Sequence, residues 1–417
     1  MANIRTGRAG AAPARPRIRR EDVTGAAPTW WVWLAAWPVT AVFVLSNAAT
    51  PLYVLWQHDI GFSKGTLTVI FACYIAGLLG SLLVSGVLSD RVGRKPVLLP
   101  ALVLAMAACV MFATASTVAA LITARLFTGI AVGAVVSAGM AAVTDVAGPH
   151  RKRLAALLAS CAMVFGAGLG PFLAGVLSES LPAPTVTVFL VEAALLATAV
   201  LTTLRMPVRR SAAPAPAARS LIRVPGVPRG SGIRLVLGIA VFAPGITATS
   251  FVLSLGPSLL AGLLNTTDRA LAGGMAFVMF LAATGVQFAV QRLRRPTVLL
   301  IGAVSTTAAM AALVAAVHTS SVPSLIAAAV LAGAGQGAGQ LGGLSLLNAS
   351  VPPQRLAEAN AALNVGGYVP AGVLPVIAGY LSDAIGLTVG ATLFGALLAT
   401  LATTGGLIVL GARRRLR

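Results

Sequence analysis

Acidic residues are scarce in this chain: 10 Asp and Glu stand against 30 Lys and Arg over 417 residues, and charged side chains make up only 10%. With 58% of residues hydrophobic and a mean hydropathy of +0.92, polar side chains are too few to cover a water-soluble globule of this length. Cysteine and histidine are nearly absent too. Cys73, Cys109 and Cys161 each lie inside an apolar run, and neither they nor His58, His150 and His318 follow metal-ligand spacing. A disulfide framework and a structural metal are therefore not expected. No G-x-x-x-x-G-K-[ST] run occurs, so the chain itself carries no phosphate-cradling loop for an ATP-driven motor. Nor is there a convergent set of catalytic groups, which argues against an enzyme.

Long apolar runs are what the chain does have. Windows of about 20 apolar residues, the length that crosses a bilayer as a helix, fall near 30–55, 66–89, 97–115, 118–143, 154–177 and 184–204. A second set falls near 233–260, 268–290, 297–317, 323–348, 357–380 and 387–410. The fold class predicted is an all-α integral membrane protein with twelve spans in two six-helix bundles, at 29–204 and 233–410. The separator from Arg205 to Arg234 holds Pro207, Pro214, Pro216, Pro225 and Pro228 with seven arginines, a composition suited to an exposed basic linker over 205–232. Residues 1–28 read as a disordered cytoplasmic arm, with no cleavage-type pattern before a first apolar run too long for a signal-peptide core. Residues 411–417 read as a basic tail.

The net charge of +20 would suggest nucleic acid, but that needs basic residues interleaved with aromatics on a folded face. Here they form short clusters between apolar runs, so no nucleic-acid partner is expected. All but Lys64, Arg125 and Arg269 of the 30 basic residues lie on alternate loops, beginning with the N-terminal arm. By the positive-inside rule, both termini and the central linker belong in the cytoplasm of a multi-pass cell-membrane protein. Trp30, Trp31, Trp33 and Trp37 open the first span as interfacial anchors, while Arg91, Arg94 and Lys95 meet anionic lipids of the inner leaflet.

Between the second and third spans stands Gly86-Val-Leu-Ser-Asp90-Arg91-Val-Gly93-Arg94-Lys95, followed by Leu98. Gly86 permits close helix contact, Gly93 a tight turn, and Asp90 can pair with Arg94 across it. The turn resembles the G-x-L-a-D-r-x-G-r-k-x-x-l signature of the major facilitator superfamily. That resemblance implies a conformational latch in which Asp90 faces the start of the eleventh helix in the outward-open state and Asp145 completes the cluster. The plainer reading, that the basic residues only set topology, is compatible with it. In the second half, Gln291-Arg292-Leu293-Arg294-Arg295-Pro296 lacks the acid and the glycine and looks like a decayed copy.

Two further stretches resemble family elements. Leu121-x-x-x-Arg125-x-x-Thr128-Gly129 is similar to an l-x-x-x-R-x-x-q-G pattern, with Thr128 replacing glutamine. A charge within hydrocarbon is a functional candidate by default, so Arg125 serves proton coupling, or else packs or snorkels. Gly166-Ala-Gly168-Leu-Gly170-Pro171-Phe-Leu-Ala174-Gly175 resembles an element of drug:proton antiporters, with Ala174 in place of a glycine. A generic small-residue packing face also fits.

In the family, the first, fourth, seventh and tenth helices line the central cavity. On them, Asn47, Tyr53, Thr249, Ser250, Gln336 and Gln340 are substrate-binding candidates, Tyr53 alternatively being an outer interfacial anchor. Pro244, Gly245, Gly256 and Pro257 are expected to break or bend the seventh helix, and Gly366, Gly367 and Pro370 the eleventh. The first helix has Ser46 and Asn47 where family antiporters often carry an acid. Glu192 in the sixth span and Asp59 beside His58 are the remaining proton-coupling candidates, against a structural role for Glu192. The resemblance implies a monomeric secondary exporter of a small, mostly apolar organic compound or drug, working by proton antiport and alternating access. No cofactor is implied beyond protons as the coupling ion. The missing first-helix acid keeps a proton-coupled symporter or uniporter of a sugar or other neutral metabolite as the alternative.

Overall fold

The computed structural model describes residues 28–207, 225–263, 268–352 and 355–412. The arm expected at 1–28, apart from Pro28, the middle of the linker at 208–224 and the tail at 413–417 lie outside the described residues. Among the described residues, twelve helices are long and apolar enough to cross a membrane: α1 Thr29–Ile60, α2 Lys64–Val92, α3 Lys95–Ala113, α4 Val118–Ala147, α5 Lys152–Ser180, α6 Pro184–Arg205, α7 Gly232–Gly262, α8 Arg269–Val290, α9 Arg295–Thr319, α10 Val322–Asn348, α11 Leu356–Ile385 and α12 Leu387–Ala412. Among the described residues there is no strand, as expected where every backbone polar group must be satisfied away from water.

Local chemistry explains the boundaries. Ser63, Thr117, Asp268 and Ser321 cap α2, α4, α8 and α10 by accepting backbone N–H bonds from Thr66, Ala120, Leu271 and Ser324, each cap being worth about 1 kcal/mol. Gly93 ends α2 at φ +102°, a conformation costly for any side chain, and so turns the chain within two residues into α3.

Proline does not interrupt the helices where the sequence suggested. α7 runs through Pro244 and Pro257, and α11 through Pro370 and Pro375, as continuous helices. Of the break or bend expected in α7 and α11, the break does not occur; interruptions lie instead in α1, where Thr50–Leu52 forms a 3₁₀ turn around Pro51, and in α4, where Val135–Gly139 is π-helical. In α7 and α11 close tertiary packing holds the helix around the missing donor.

Each half repeats the other's packing. In the first, α1 lies on α5 and α6, α2 on α4, and α3 on α4 and α6; in the second, α7 lies on α11 and α12, α8 on α10, and α9 on α10 and α12. The halves meet through α5 with α8 and α2 with α11, contacts that exchange under the same repeat. The most apolar stretches of α1 and α7 are 78% buried against 28% for α6 and α11, which puts α1 and α7 at the centre.

Candidate functional site

Arg125 stands at the heart of the first half and is fully buried. Its Nε donates to the Tyr53 hydroxyl and its Nη1 to the Ser46 carbonyl at 2.7 Å. Both acceptors flank the interruption of α1. A cation in hydrocarbon needs such partners, and aromatic faces supply more. The guanidinium carbon lies 5.1, 5.4, 5.9 and 6.0 Å from the rings of Tyr53, Phe71, Tyr74 and Phe112. Desolvated contacts of this kind contribute about 2 kcal/mol. Nη2 is left without a hydrogen-bond partner, so its two N–H groups remain for an incoming acceptor.

The two halves join their central helices differently. In the second, Gly245, Gly339 and Gly343 let α7 close onto α10: a Cβ on them would lie 2.9, 3.0 and 3.4 Å from the Cα atoms of Gln336, Phe242 and Gly238. In the first, the Arg125 side chain ties α4 to α1.

Beside Arg125, Phe112 of α3 stacks on Phe189 of α6 at 4.8 Å, and Trp56 of α1 lies 5.8 Å from Phe112. Tyr53 is thus a buried core residue, not an interfacial anchor, and Trp56 is buried with it. One helical turn beyond Phe189 is Glu192, 2% exposed, with Oε2 unpartnered. Asp59 is not brought to this centre. Its side chain is 69% exposed and pairs with His58 at 3.2 Å.

The cavity candidates divide. Asn47 is buried and donates to Ser46 Oγ at 3.1 Å and the Ala167 carbonyl at 3.5 Å, so its amide joins α1 to α5. Thr249 donates to its own helix at Ile246, and Ser250 is buried beside it. Gln336 lies against α7 with Oε1 unpartnered, and it and Gln340 are both half-buried. Sequence reasoning missed Asn360 of α11, whose Oδ1 is buried without a partner. It also missed Tyr74, which faces Arg125.

The Gly86–Lys95 turn gathers the expected charges. Arg94 Nη1 donates to Asp90 at 2.6 Å and to Ser89 Oγ at 3.0 Å, and its Nε to Asp145 at 2.9 Å. Burial works against the charge on Arg94, but hydrogen bonds and attraction to Asp145 and Asp90 outweigh it and raise its pKa. Lys95 donates to the Leu204 carbonyl at 2.7 Å. The bonds of Arg94 to Asp90, Ser89 and Asp145 all lie within the first half.

The Gly166–Gly175 element serves two interfaces. Gly166 and Gly170 abut the backbone of α1 at Thr40 and Val44, whereas Gly175 abuts Arg269 and Ala270 of α8, and the Pro171 carbonyl receives Gly273 of α8. Among the described residues, several polar bonds join the halves at one end. Lys64 and Gly65 N–H donate to Asp383 at 3.0 and 2.8 Å, Ser258 Oγ to Gln57 at 3.5 Å, and Arg269 to Glu179 at 2.8 Å. All of these lie at the end that carries Lys64 and Arg269.

Residues 32–293, more than half of the chain, match the model of the Major Facilitator Superfamily. The 3-(3-hydroxy-phenyl)propionate transporter of Escherichia coli is 37% identical over 100 residues, covering 24% of this chain and 25% of that protein. Multidrug resistance protein MdtL, also of Escherichia coli, is 28% identical over 116 residues, covering 27% and 30%. The matched stretch thus spans less than a third of either relative. Among solved structures, the nucleoside transporter NupG superposes with a TM-score of 0.71 at 13% identity, over 91% of this chain and 99% of that one. A bacterial homolog of the human lysosomal transporter Spinster, in an inward-facing and unoccupied conformation, gives 0.73 at 14% identity, over 93% and 99%. At such identities the structures speak for the fold alone, and together with the sequence match they show that this chain belongs to the Major Facilitator Superfamily, a family of multi-pass membrane transport proteins.

Proposed function

We propose that the protein is a proton-coupled secondary carrier that moves a small organic solute by alternating access between bundles 29–204 and 233–410. The observation that carries this reading is that two repeated halves meet through paired helices and bond each other across one end through Asp383 and Glu179. By the positive-inside rule that end is the outer one, both termini are cytoplasmic, and the chain lies in the cell membrane in a state closed to the outside. Arg125 and Glu192 are the groups for proton coupling, the Arg94 cluster is the latch of the inner end, and Asn47, Gln336 and Asn360 bound the solute path. Each inward proton releases roughly 2.3 kcal/mol per 100 mV before the pH difference is added.

Two directions have separate support. Symport agrees with the absence of an acid from residues 30–55 of α1 and with the likeness to a 3-(3-hydroxy-phenyl)propionate transporter; an aromatic carboxylate would find the unpartnered Nη2 of Arg125. Antiport agrees with the Gly166–Gly175 element and with the likeness to MdtL.

The test is flux in proteoliposomes under an imposed pH gradient, with aromatic carboxylates, neutral metabolites and lipophilic drugs as solutes and gradient-free controls. Solute moving with protons establishes symport, solute moving against them antiport, and no gradient-driven movement of any class refutes the carrier. Replacing Arg125 by Gln is expected to abolish gradient-driven flux. Retained pH-driven flux would remove Arg125 from coupling.

A further inference from the structure

The outer ends of α5 and α11 carry one element twice. Pro171-Phe-Leu-Ala174-Gly175-Val-Leu177-Ser178-Glu179 and Pro375-Val-Ile-Ala378-Gly379-Tyr-Leu381-Ser382-Asp383 agree at proline, alanine, glycine, leucine and serine, and each closes on an acid. The two copies do the same thing in space. Gly175 lies against the carbonyl of Arg269, the first residue of α8, and Gly379 against that of Lys64, the first residue of α2. Ser178 and Ser382 both turn back to bond their own helices, at 2.8 and 2.7 Å, so that of the two closing polar residues it is the acid that reaches across.

It reaches a helix N-terminus in each case. Asp383 accepts from the first two N–H groups of α2, Lys64 at 3.0 Å and Gly65 at 2.8 Å. Glu179 accepts from the first N–H of α8, Arg269 at 3.0 Å, and from the guanidinium of the same residue at 2.8 Å. The opening N–H groups of a helix have no partners within it, and a carboxylate there is also favoured by the helix dipole. Each of these helices has a cap of its own, Ser63 for α2 and Asp268 for α8, but those caps bond the third residue in, Thr66 and Leu271. The first N–H groups are completed by the opposite half of the molecule.

We propose that Glu179 and Asp383 are the positioning residues of the outer gate. Each is the shared cap of a helix in the other half, and the state closed at this end is the one in which both crossed caps are made. The proposal rests on the carrier reading. It explains why the acid, with the small residues that let it approach, recurs in the two helices that exchange under the internal repeat. The caps are exposed, since the Glu179 side chain is 38% accessible, so water replaces them when the end opens. That makes each weak enough to be broken once per cycle.

The test uses the full chain with Cys73, Cys109 and Cys161 replaced by Ala and a reporter at Ser258→Cys. Ser258 is 6% exposed and faces Gln57 across the closed end. A membrane-impermeant maleimide is applied from outside to right-side-out proteoliposomes. Glu179→Gln or Asp383→Asn alone is expected to raise the labelling rate about fivefold, which is about 1 kcal/mol per cap, and the two together more than tenfold. Asp383→Glu, which keeps the carboxylate, is expected to stay nearer the parent than Asp383→Asn. A second reporter, Ser116→Cys in the exposed loop before α4, should label equally in every variant. An unchanged rate in the double variant overturns the gate, as does a parallel rise at position 116, which would mean general loosening. The readout needs no solute. A rise at 258 in the variants with no gradient-driven flux by the parent chain therefore upholds the gate while sinking the carrier reading, and no rise with intact parent flux overturns the gate alone.

Discussion

The turn joining α2 to α3 and the turn joining α8 to α9 occupy the same place in their respective halves, with opposite chemistry. In the first, Arg94 fills the space between Asp90 and Asp145 and bonds both. In the second, aligning Arg-Arg-Pro on Arg-Lys-Pro sets Val290 against Asp90 and Leu293 against Gly93, and α10 ends in Asn348 where α4 ends near Asp145. There a cavity of about 420 Å³ opens, lined by Gln291, Arg295, Ser345 and Asn348 among others. The helices around it nonetheless pack as their first-half counterparts do. The same helix packing is therefore reached in the second half without the charge cluster.

The sharpest way to break this contrast is Arg94→Ala, which leaves two carboxylates facing each other. Hydrogen bonds between charged groups are worth about 1.5–3 kcal/mol. The Asp90 and Asp145 side chains, however, are 47% and 41% exposed, and solvent screening reduces that figure. Solute flux is expected to fall about tenfold with unchanged protein in the membrane, and flux within twofold of the parent would erase the distinction between the turns. Asp145→Asn makes the end of α4 resemble that of α10, and the initial rate should drop by roughly threefold, less than 1 kcal/mol. The reverse exchange, Asn348→Asp, offers the second-half arginines an acid. It should raise the thermal unfolding midpoint slightly, by the equivalent of about 0.5 kcal/mol; a fall would show that the cavity is not the counterpart of the Arg94 cluster. Smallest of all is Arg294→Ala, for which flux should stay within about twofold, whereas a tenfold loss would give the second turn the same role as the first.

Much of the architecture is legible in the chain because a bilayer imposes long apolar runs and leaves charges to the loops. The twelve spans agree with the helices to within a few residues at most boundaries, and the proximity of Asp90 and Arg94 follows from their spacing. What escapes is what depends on partners far away in sequence. The prolines of α7 and α11 suggested breaks, yet only tertiary packing decides whether a helix closes around a missing donor. The burial of Tyr53 and Trp56 required knowing that α3 and α6 lay beside them. Gly175 could be seen as a packing residue, but not that it meets Arg269 while Gly166 meets Thr40. The echo of Pro171–Glu179 in Pro375–Asp383 was readable in principle. It is hidden by alanine and glycine so common in apolar spans that their repetition carries little weight until both acids are seen to cap a helix of the other half.

That the two ends open in opposition is tested most directly by distances between paired spin labels in nanodiscs, on the cysteine-free chain. One pair, Ser116→Cys with Ala384→Cys, spans the outer end; another, Val92→Cys with Ala357→Cys, spans the inner end, all four positions being exposed. With Glu179→Gln and Asp383→Asn present, the outer distance should lengthen while the inner one shortens. If the outer end lengthened with no change inside, or neither distance moved, two halves rocking about a shared centre would be contradicted.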